Sequence, residues 1–254
     1  MSLYRNQDSH FQKAGQYDLL ANYYKYIDPA KHIAYYQKHL QYMALAAHSM
    51  RTQMNPHASG GILPGKIRFI HGSIDASNVD IYINGSKILK DFPFKETSTY
   101  LSLPAGKYQV DIYPAGTMVS TVLSRKIVVG QGKSYTLLFS GSSKNLKWLA
   151  LEDDHHVPYG ETKVRFIHAA HDAPAFDIAV ENRDVIFSNI AYRKFTTYLG
   201  LSPMTVDLEA RVAGSKNVAL SIPHVRLEPN RVYSILLVGS VADEPELEAI
   251  MFEG

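Results

Sequence analysis

The chain of 254 residues is 46% apolar and 20% charged, a composition that suits a folded protein with two or three cores. Its formal net charge is +2 and it has no basic block, which argues against nucleic acid as a partner. Cysteine is absent, so disulfides and thiolate metal sites are excluded. No apolar run approaches the roughly 18 residues of a membrane span, and the first residues are polar, so we expect neither a transmembrane segment nor a signal peptide in this chain.

Residues 1–60 are predicted to form a helical arm with a linker. The first part, residues 1–16, is polar, and its very end is expected to be loose. From Tyr17 onward the apolar side chains recur every three or four residues, which predicts a helix over residues 17–27.

A second helix is predicted over residues 29–51. It begins with Asp28-Pro29, an N-cap residue followed by a proline at the first helical position. Asn55-Pro56 and Gly60-Gly61 are breakers that predict its end and the linker. Its apolar residues follow a 3–4 spacing and form a stripe that consists of Ile33, Tyr36, Leu40, Met43, Ala47 and Met50.

The stripe predicts a contact surface, and three interpretations of it are open. In the first, Leu40 and Met43 are buried against the neighbouring helix or the following domain. In the second, the helix associates with another copy or a partner, and in the third it lies on a membrane surface. The residues expected at an oligomer or partner surface are Tyr24, Ile33, Tyr36, Leu40 and Met43.

The rest of the chain contains one stretch twice. It reads K-I-R-F-I-H at 66–71 and K-V-R-F-I-H at 163–168. In both copies an Asp-Ala pair and an Asp-Ile pair follow, at Asp75, Asp80, Asp172 and Asp177. An internal repeat of this kind indicates a duplicated unit, and it predicts one domain over residues 61–153 and a second over 154–254.

Both copies consist of short alternating runs separated by turn residues, the pattern of a sandwich of strands. The strands predicted in the first copy are 66–71, 79–83, 87–91, 97–102, 107–113, 119–129, 134–140 and 146–151. Those predicted in the second copy are 163–168, 176–180, 184–188, 195–200, 205–211, 217–227, 232–238 and 247–252. Asn84-Gly85 is a hairpin signal. We therefore predict a mainly β protein, with two tandem immunoglobulin-like antiparallel β-sandwich domains preceded by a short α-helical arm.

These motifs resemble a known family. The segments R-F-I-H, D-A and V-D-I-Y-I-N-G, followed by Y-L-S-L-P-A-G-K-Y-Q-V-D-I-Y-P-A-G, resemble the bacterial domain of unknown function 4397. The first copy matches from Lys66 to Gly116, whereas the second departs at Ser202-Pro203-Met204. The family typically occurs as tandem copies in envelope or secreted proteins, so the resemblance implies a cell surface or envelope location. It implies no chemistry, because no activity is established for the family.

The repeated histidines and aspartates are the main candidate site. His71 and His168 end the first strand of each copy, with Asp75 and Asp172 four residues later. In the structural interpretation each Asp accepts backbone N–H bonds, as in an Asx-turn. The alternative is a metal or ligand site, for which the second copy is better equipped because His171 adds a ligand to His168 and Asp172.

For the two repeated arginines the sequence predicts ion pairs. Arg68 and Arg165 alternate with apolar residues of the first strand, so their side chains should leave the core of their own copy. We expect cross-strand ion pairs with Asp80 and Asp177 on the next strand.

The sequence leaves several functions open. We find no Walker loop, nucleophile elbow or triad, and we expect no cofactor. The leading hypothesis is a non-enzymatic binding or structural module of the bacterial surface or envelope, which binds a protein or glycan through sandwich loops or edges. One alternative is a metal-binding protein or metal-dependent hydrolase that uses the second His-Asp motif. The other is a cytoplasmic assembly protein that forms homo-oligomers through the helical arm.

Overall fold

The structure, a computed structural model, describes residues 2–25, 27–54, 63–143 and 145–254. It divides into a helical unit, up to Gly61, and a β unit that starts at Ile62 and contains both repeats. The predicted linker lies outside the described residues. The division of the β unit at residue 153 stays a prediction.

The helical unit contains two helices, α1 (Ser2–Tyr24) and α2 (Pro29–Met54). The predicted start of α2 is confirmed, because the carboxylate of Asp28 accepts the N–H of Lys31 at 3.1 Å, as an N-cap does. The predicted start of the first helix at residue 17 is wrong, since α1 already begins at Ser2. The polar segment is helical because residues such as Ala14 pack on α2, and tertiary packing stabilises a helix more than propensity does.

The prediction that Leu40 and Met43 are buried is wrong within this unit, where they are 45% and 40% exposed. The residues that face α1 lie one position earlier in every turn. They are His32, Tyr35, His39, Tyr42 and Ala46. The side chains of Ala47 and Met50, at the end of the predicted stripe, lie outside the described residues.

The seam between the two helices is built from histidine, tyrosine and alanine. Nδ1 of His32 lies 2.8 Å from the carbonyl oxygen of Ala21, and Nδ1 of His39 lies 2.9 Å from that of Ala14. Tyr17 stacks between two tyrosines of α2. Small alanines let the backbones approach closely, and the aromatic rings bury their faces while their polar atoms reach hydrogen-bond partners. A hydrophobicity pattern cannot find such a seam, because half of its members count as polar.

None of the helices in the described ranges has the length and the apolar composition that a membrane span requires.

The first copy is a sandwich of two four-stranded sheets. Its sheets have the strand orders β4-β1-β7-β8 and β3-β2-β5-β6. The strands are β1 (Gly65–Gly72), β2 (Val79–Ile83), β3 (Ser86–Phe92), β4 (Leu101–Leu103), β5 (Gly106–Pro114), β6 (Leu123–Val129), β7 (Ser134–Ser140) and β8 (Lys147–Asp153). The Asn84-Gly85 hairpin is confirmed, with φ of 48° and 80° at its two residues, the left-handed conformation that a two-residue loop requires.

The second copy repeats this arrangement, with the orders β12-β9-β15-β16 and β11-β10-β13-β14. Its strands are β9 (Thr162–His168), β10 (Phe176–Val180), β11 (Val185–Ile190), β12 (Leu199–Leu201), β13 (Met204–Val212), β14 (Val218–Leu227), β15 (Arg231–Val238) and β16 (Glu248–Glu253). The mainly β fold with two sandwiches and a helical arm is confirmed. It differs from the prediction in one respect, because β1 and β7 pair in parallel, as do β9 and β15.

Three predicted strands are shorter than expected. The strand predicted over 119–129 begins only at Leu123, and in the other two a side chain replaces a ladder bond. The segment predicted as 97–102 contains a regular strand only at Leu101–Leu103. Beside it, the hydroxyl of Ser98 accepts the N–H of Phe69 at 2.9 Å. In the second copy Thr196 accepts the N–H of Phe166 in the same way, at 3.0 Å.

The two sandwiches pack against each other through a third apolar cluster. Side chains alternate along the first strands, so that Ile67 and Phe69 enter the core of the first copy while Ile70 leaves it. Residues that leave the two cores in this way meet in one buried cluster formed by Ile70, Leu138, Leu151, Ile167, Ala169, Leu236 and Val238. The shared face joins sheet β4-β1-β7-β8 to sheet β12-β9-β15-β16, which makes the β unit one body.

Candidate functional site

Arg165 lies in the face between the two copies, where it is 1% exposed. Its Nε donates to the hydroxyl of Ser234 at 2.9 Å and its Nη1 donates to the main-chain carbonyl of Glu152 at 3.0 Å. Nη2 forms an ion pair with the carboxylate of Asp153, which is fully buried. The guanidinium also lies over the ring of Tyr198, 4.6 Å from its centroid.

Arg68 makes the equivalent contacts from the first copy. It is 5% exposed, its Nε donates to the hydroxyl of Thr136 at 2.9 Å, and its Nη1 donates to the carbonyl of Glu253. Its guanidinium lies over the rings of Tyr100 and Phe252, at 4.5 and 4.8 Å. Burial lowers the pKa of Arg68, while Tyr100 and Asp153 act in the opposite direction. The two copies are therefore joined by a reciprocal exchange, because each arginine binds the last strand of the other copy.

Asp153 is the acceptor at the centre of this interface. Its carboxylate accepts the hydroxyl of Tyr100 at 2.8 Å and that of Thr136 at 2.7 Å, in addition to Arg165. Burial, followed by the charge of Asp153, raises the pKa of Tyr100 and keeps that hydroxyl protonated as a donor. Asp153 also lines a surface groove of about 600 Å³, together with Tyr198 and Lys133.

The expected pairing of Arg68 and Arg165 with Asp80 and Asp177 is wrong. The strands that carry the aspartates belong to the other sheet of each sandwich, so the arginines point away from them. The carboxylate of Asp80 instead forms an ion pair with Nζ of Lys87, at 2.6 Å.

Asp80 and Asp177 hold a bulge and a turn. The carboxylate of Asp80 accepts the N–H of Asp91 at 2.8 Å and that of Gly116 at 3.3 Å. In the second copy Asp177 accepts the N–H of Asn189 at 2.7 Å and that of Gly214 at 2.9 Å. All four donor residues have positive φ. Burial alone would raise the pKa of Asp80, but Lys87 and the two amides hold it below its usual value.

The repeated histidines are buried inside the sandwiches. His71 lies among the rings of Phe92, Phe94 and Phe139, with a centroid distance of 4.7 Å to the last. Burial lowers the pKa of His71 to about 4. His168 stacks on Phe176 at 4.7 Å, and burial lowers its pKa too. Both are therefore neutral at pH 7, as core residues.

The structure ties His168 into the loop that follows it. Its Nε2 lies 2.9 Å from the carbonyl oxygen of Pro174. Because a carbonyl oxygen only accepts, Nε2 carries the proton of the neutral ring.

The repeated aspartates accept backbone N–H bonds, as the structural interpretation expects, but from a distant loop. Asp75 accepts the N–H of Ser143 at 2.7 Å and its hydroxyl at 3.1 Å. Asp172 accepts the hydroxyl of Ser240 at 2.6 Å and the N–H of Ala242 at 3.3 Å. The donors come 68 to 70 residues later in the chain. Each Asp therefore fixes the loop before the last strand of its own copy, instead of closing an Asx-turn.

The second His-Asp motif is not assembled as a metal site. His168 is buried, His171 is exposed, and the carboxylate of Asp172 is directed to the loop that contains Ser240. Among the described residues, no three His, Asp or Glu side chains are placed to hold one metal ion. Whether the protein binds a metal stays a prediction for experiment.

Reasoning from the sequence found both arginines but missed the other members of the interface. The missed residues are Tyr100, Thr136, Glu152, Asp153, Tyr198, Ser234, Phe252 and Glu253. The tyrosines recur in register, 98 residues apart, and so do the hydroxyl residues Thr136 and Ser234, which is a signal that the sequence offers. Main-chain partners show no such pattern, because any residue type supplies a carbonyl.

Comparison with known families identifies the β unit. The family described as Domain of unknown function (DUF4397) matches residues 65–179 and 172–253. The chain belongs to this family. The first matched region contains the first sandwich and continues into β10, and the second region covers the second sandwich from the loop before β10 onward. Among curated proteins, none matches the sequence.

Solved structures with a related arrangement are distant. The C-terminal domain of AlgF from P. aeruginosa is 13% identical, with a TM-score of 0.28, over 35% of this chain and 98% of that domain. The Bacillus anthracis TIE protein is 12% identical, with a TM-score of 0.23, over 70% of this chain and 34% of that protein. A proposed cell adhesion protein from Bacteroides fragilis is 10% identical, with a TM-score of 0.20, over 75% and 97% of the two chains. Likenesses this weak carry no argument about function.

Proposed function

We propose that this protein is a non-enzymatic binding or structural module of the bacterial surface or envelope. In this proposal the two sandwiches form a rigid body and the helical arm carries the contact with a protein partner. The observation that supports the proposal is the structural role of the repeated motif. In both copies its arginines, aspartates and histidines are engaged in holding the fold together.

The surface of α2 supports a protein partner over a glycan. Ile33, Tyr36, Leu40 and Met43 are exposed, at 37% to 56% of their area, and their spacing places them on one face. This is the pattern with which an amphipathic helix enters an apolar groove of another protein. Glycan sites instead need polar groups that match sugar hydroxyls. The location at the surface or envelope rests on membership of the family and is part of the proposal.

A photo-crosslinking amino acid placed in α2 tests this proposal in the native host. We expect a discrete crosslinked product from Leu40 and none from Gln37, an exposed residue of the same helix outside the stripe. Fractionation of the same cells should recover the protein with the envelope or the medium. A crosslink of twice the chain's mass would identify the partner as a second copy.

Two results would contradict the proposal. The first is an equal crosslink pattern at both positions, which would mean that the stripe does not select a partner. The second is substrate turnover, in a screen of hydrolase and transferase substrates, that a single side-chain change abolishes.

A further inference from the structure

The eight edge strands of the two sandwiches differ in how well they are protected against pairing with another chain. Strands β4 and β12 have three residues each. Strands β3, β6, β8 and β16 carry charged side chains, and β14 contains Pro223 and Arg226. Short strands, charges and prolines are the devices that keep sheet edges from pairing. Among the strands that the structure describes, only β11 has none of them, since it reads V-I-F-S-N-I.

The same edge of the first copy, β3, has three charges that β11 lacks. The ladders define the equivalence of the two strands, since Leu89 lies opposite Ile81 and Phe187 lies opposite Ile178. In that register the charged residues of β3 and their neutral counterparts in β11 are Lys87 and Val185, Lys90 and Ser188, and Asp91 and Asn189. The second copy has therefore lost the protection that the first copy keeps at this edge.

An apolar groove of about 390 Å³ runs beside β11. Its lining includes Ile186, Phe187 and Phe195. Phe195 is 46% exposed and forms an isolated bridge to the first strand of its sandwich, where the first copy has Thr97. An exposed aromatic ring is thus added beside the same edge that has lost its charges.

We propose that β11 forms the contact of a homodimer, in which it pairs antiparallel with β11 of a second copy about a twofold axis. The outer N–H and C=O groups of an edge strand pair in register only with a further strand. A twofold contact uses the same surface in both partners. Because it occupies the one unprotected edge of each copy, assembly stops at two copies.

Opposite charges at the two ends of β11 support a second copy as the occupant. Asp184 precedes the strand, and Lys194 lines the groove near its last residue, Ile190. Antiparallel pairing places the start of one strand beside the end of the other, so Asp184 of each copy lies near Lys194 of its partner. The first copy has Ser86 and Glu96 at these positions and lacks such a pair. Charges at the rim of a contact set its orientation more than its affinity.

Cysteine crosslinking of the purified full chain tests the proposal. The chain contains no cysteine, so a single introduced thiol reports on one position. With a short bismaleimide at micromolar protein concentration, we expect Ser188→Cys to give a covalent dimer whose yield falls on dilution. The matched control is Lys90→Cys, the equivalent exposed position of β3, which should stay monomeric.

Two further variants test the edge and the orientation of the strands. Val185→Lys restores the charge that β3 has at this position, and Val185 is 42% exposed, so the fold should tolerate it. We expect sedimentation to show a monomer–dimer equilibrium in wild type and a monomer in Val185→Lys, with equal melting curves at low concentration. Lys194→Glu should reduce the dimer fraction, and the double variant Asp184→Lys, Lys194→Glu should restore it.

Four results would overturn the proposal. They are a monomeric wild type at all concentrations, equal crosslinking from Ser188→Cys and Lys90→Cys, assemblies larger than two copies, and a dimer that persists in Val185→Lys. Failure of the charge exchange to restore the dimer would contradict the antiparallel arrangement. A dimer formed through α2 would persist in Val185→Lys, so this proposal and the one for α2 can fail independently.

Discussion

Arg68 and Arg165 occupy the same position in the two copies, and each donates Nη1 to the main-chain carbonyl of a glutamate in the last strand of the other copy, Glu253 and Glu152. The pairing is reciprocal, so neither sandwich completes its polar contacts alone. This explains why an arginine at this position recurs in both copies, since each one links a hydroxyl of its own sandwich to the last strand of the other copy.

The first prediction concerns the buried ion pair. Asp153→Ala leaves Arg165 charged and unpaired in the interface, and we expect the free energy of unfolding to fall by about 3–5 kcal/mol. Urea denaturation at pH 7 measures this. The matched control is Asp154→Ala at the next residue, whose partner is Lys163 on the surface, and it should cost about 0–1 kcal/mol. Equal losses in the two variants would contradict the importance of the buried pair.

The second prediction concerns the aspartates that fix the loops before the last strands. Asp75→Ala and Asp172→Ala should each lower the free energy of unfolding by about 1 kcal/mol, because each removes hydrogen bonds that are partly accessible to water. Denaturation compared with Asp184→Ala, an exposed carboxylate in the turn between β10 and β11, provides the measurement and control. If all three variants match wild type, the loop contacts do not contribute to stability.

The third prediction is a loss of stability in acid. Burial holds the pKa of His71 at about 4, against 6.5 for the unfolded chain. Below pH 6.5 the unfolded chain binds a proton that the folded protein does not, so stability present at neutral pH is lost as the pH falls toward 4. The shift corresponds to at most about 3 kcal/mol for this residue. His168 acts in the same direction.

Denaturation of wild type and His71→Phe between pH 7 and pH 4.5 measures this effect. The phenylalanine cannot be protonated and keeps an aromatic ring among Phe92, Phe94 and Phe139. We expect a shallower pH dependence in the variant. Parallel curves for the two proteins would show that His71 is not the group responsible.

The fourth prediction concerns the seam of the helical unit. Ala21 is 1% exposed and its carbonyl lies against His32, so Ala21→Leu should overfill the seam and destabilise the hairpin by about 1–3 kcal/mol. Gly15 has open space where a Cβ would lie, and Gly15→Ala should stabilise α1 by about 0.5–1 kcal/mol. Amide hydrogen exchange over α1 and α2 in the full chain measures both effects. Faster exchange in Gly15→Ala, or unchanged exchange in Ala21→Leu, would refute this description of the seam.

Alternation of side chains made most of the strands predictable. It also placed Ile67 and Phe69 in the core and Arg68 outside it, because that inference needs only the geometry of one strand. The parallel pairing of β1 with β7 was not predictable, since a strand pattern does not encode the direction of its partner. Two partners of Arg68, Phe252 and Glu253, were missed for a related reason, because they belong to the second sandwich, and Glu253 is 185 residues away in the chain.

The helical arm shows the limit of hydrophobic periodicity. The spacing predicted the helices and the Asp28 cap, but the stripe it selected is exposed while Tyr35 and His39 are in the seam. Hydrophobicity scales count histidine and tyrosine as polar, although the rings of these residues pack well between helices that alanines bring close together. The face of α2 that packs on α1 is therefore displaced by one residue in each turn from the face that the stripe predicted.

The contact between Arg68 and Glu253 also has a mechanical consequence. It places the beginning of β1 beside the end of β16, so the first and last strands of the β unit are joined at neighbouring points. Tension applied between these two points would load this one contact instead of stretching both sandwiches in series. Most of both sandwiches would then lie outside the path of the applied force.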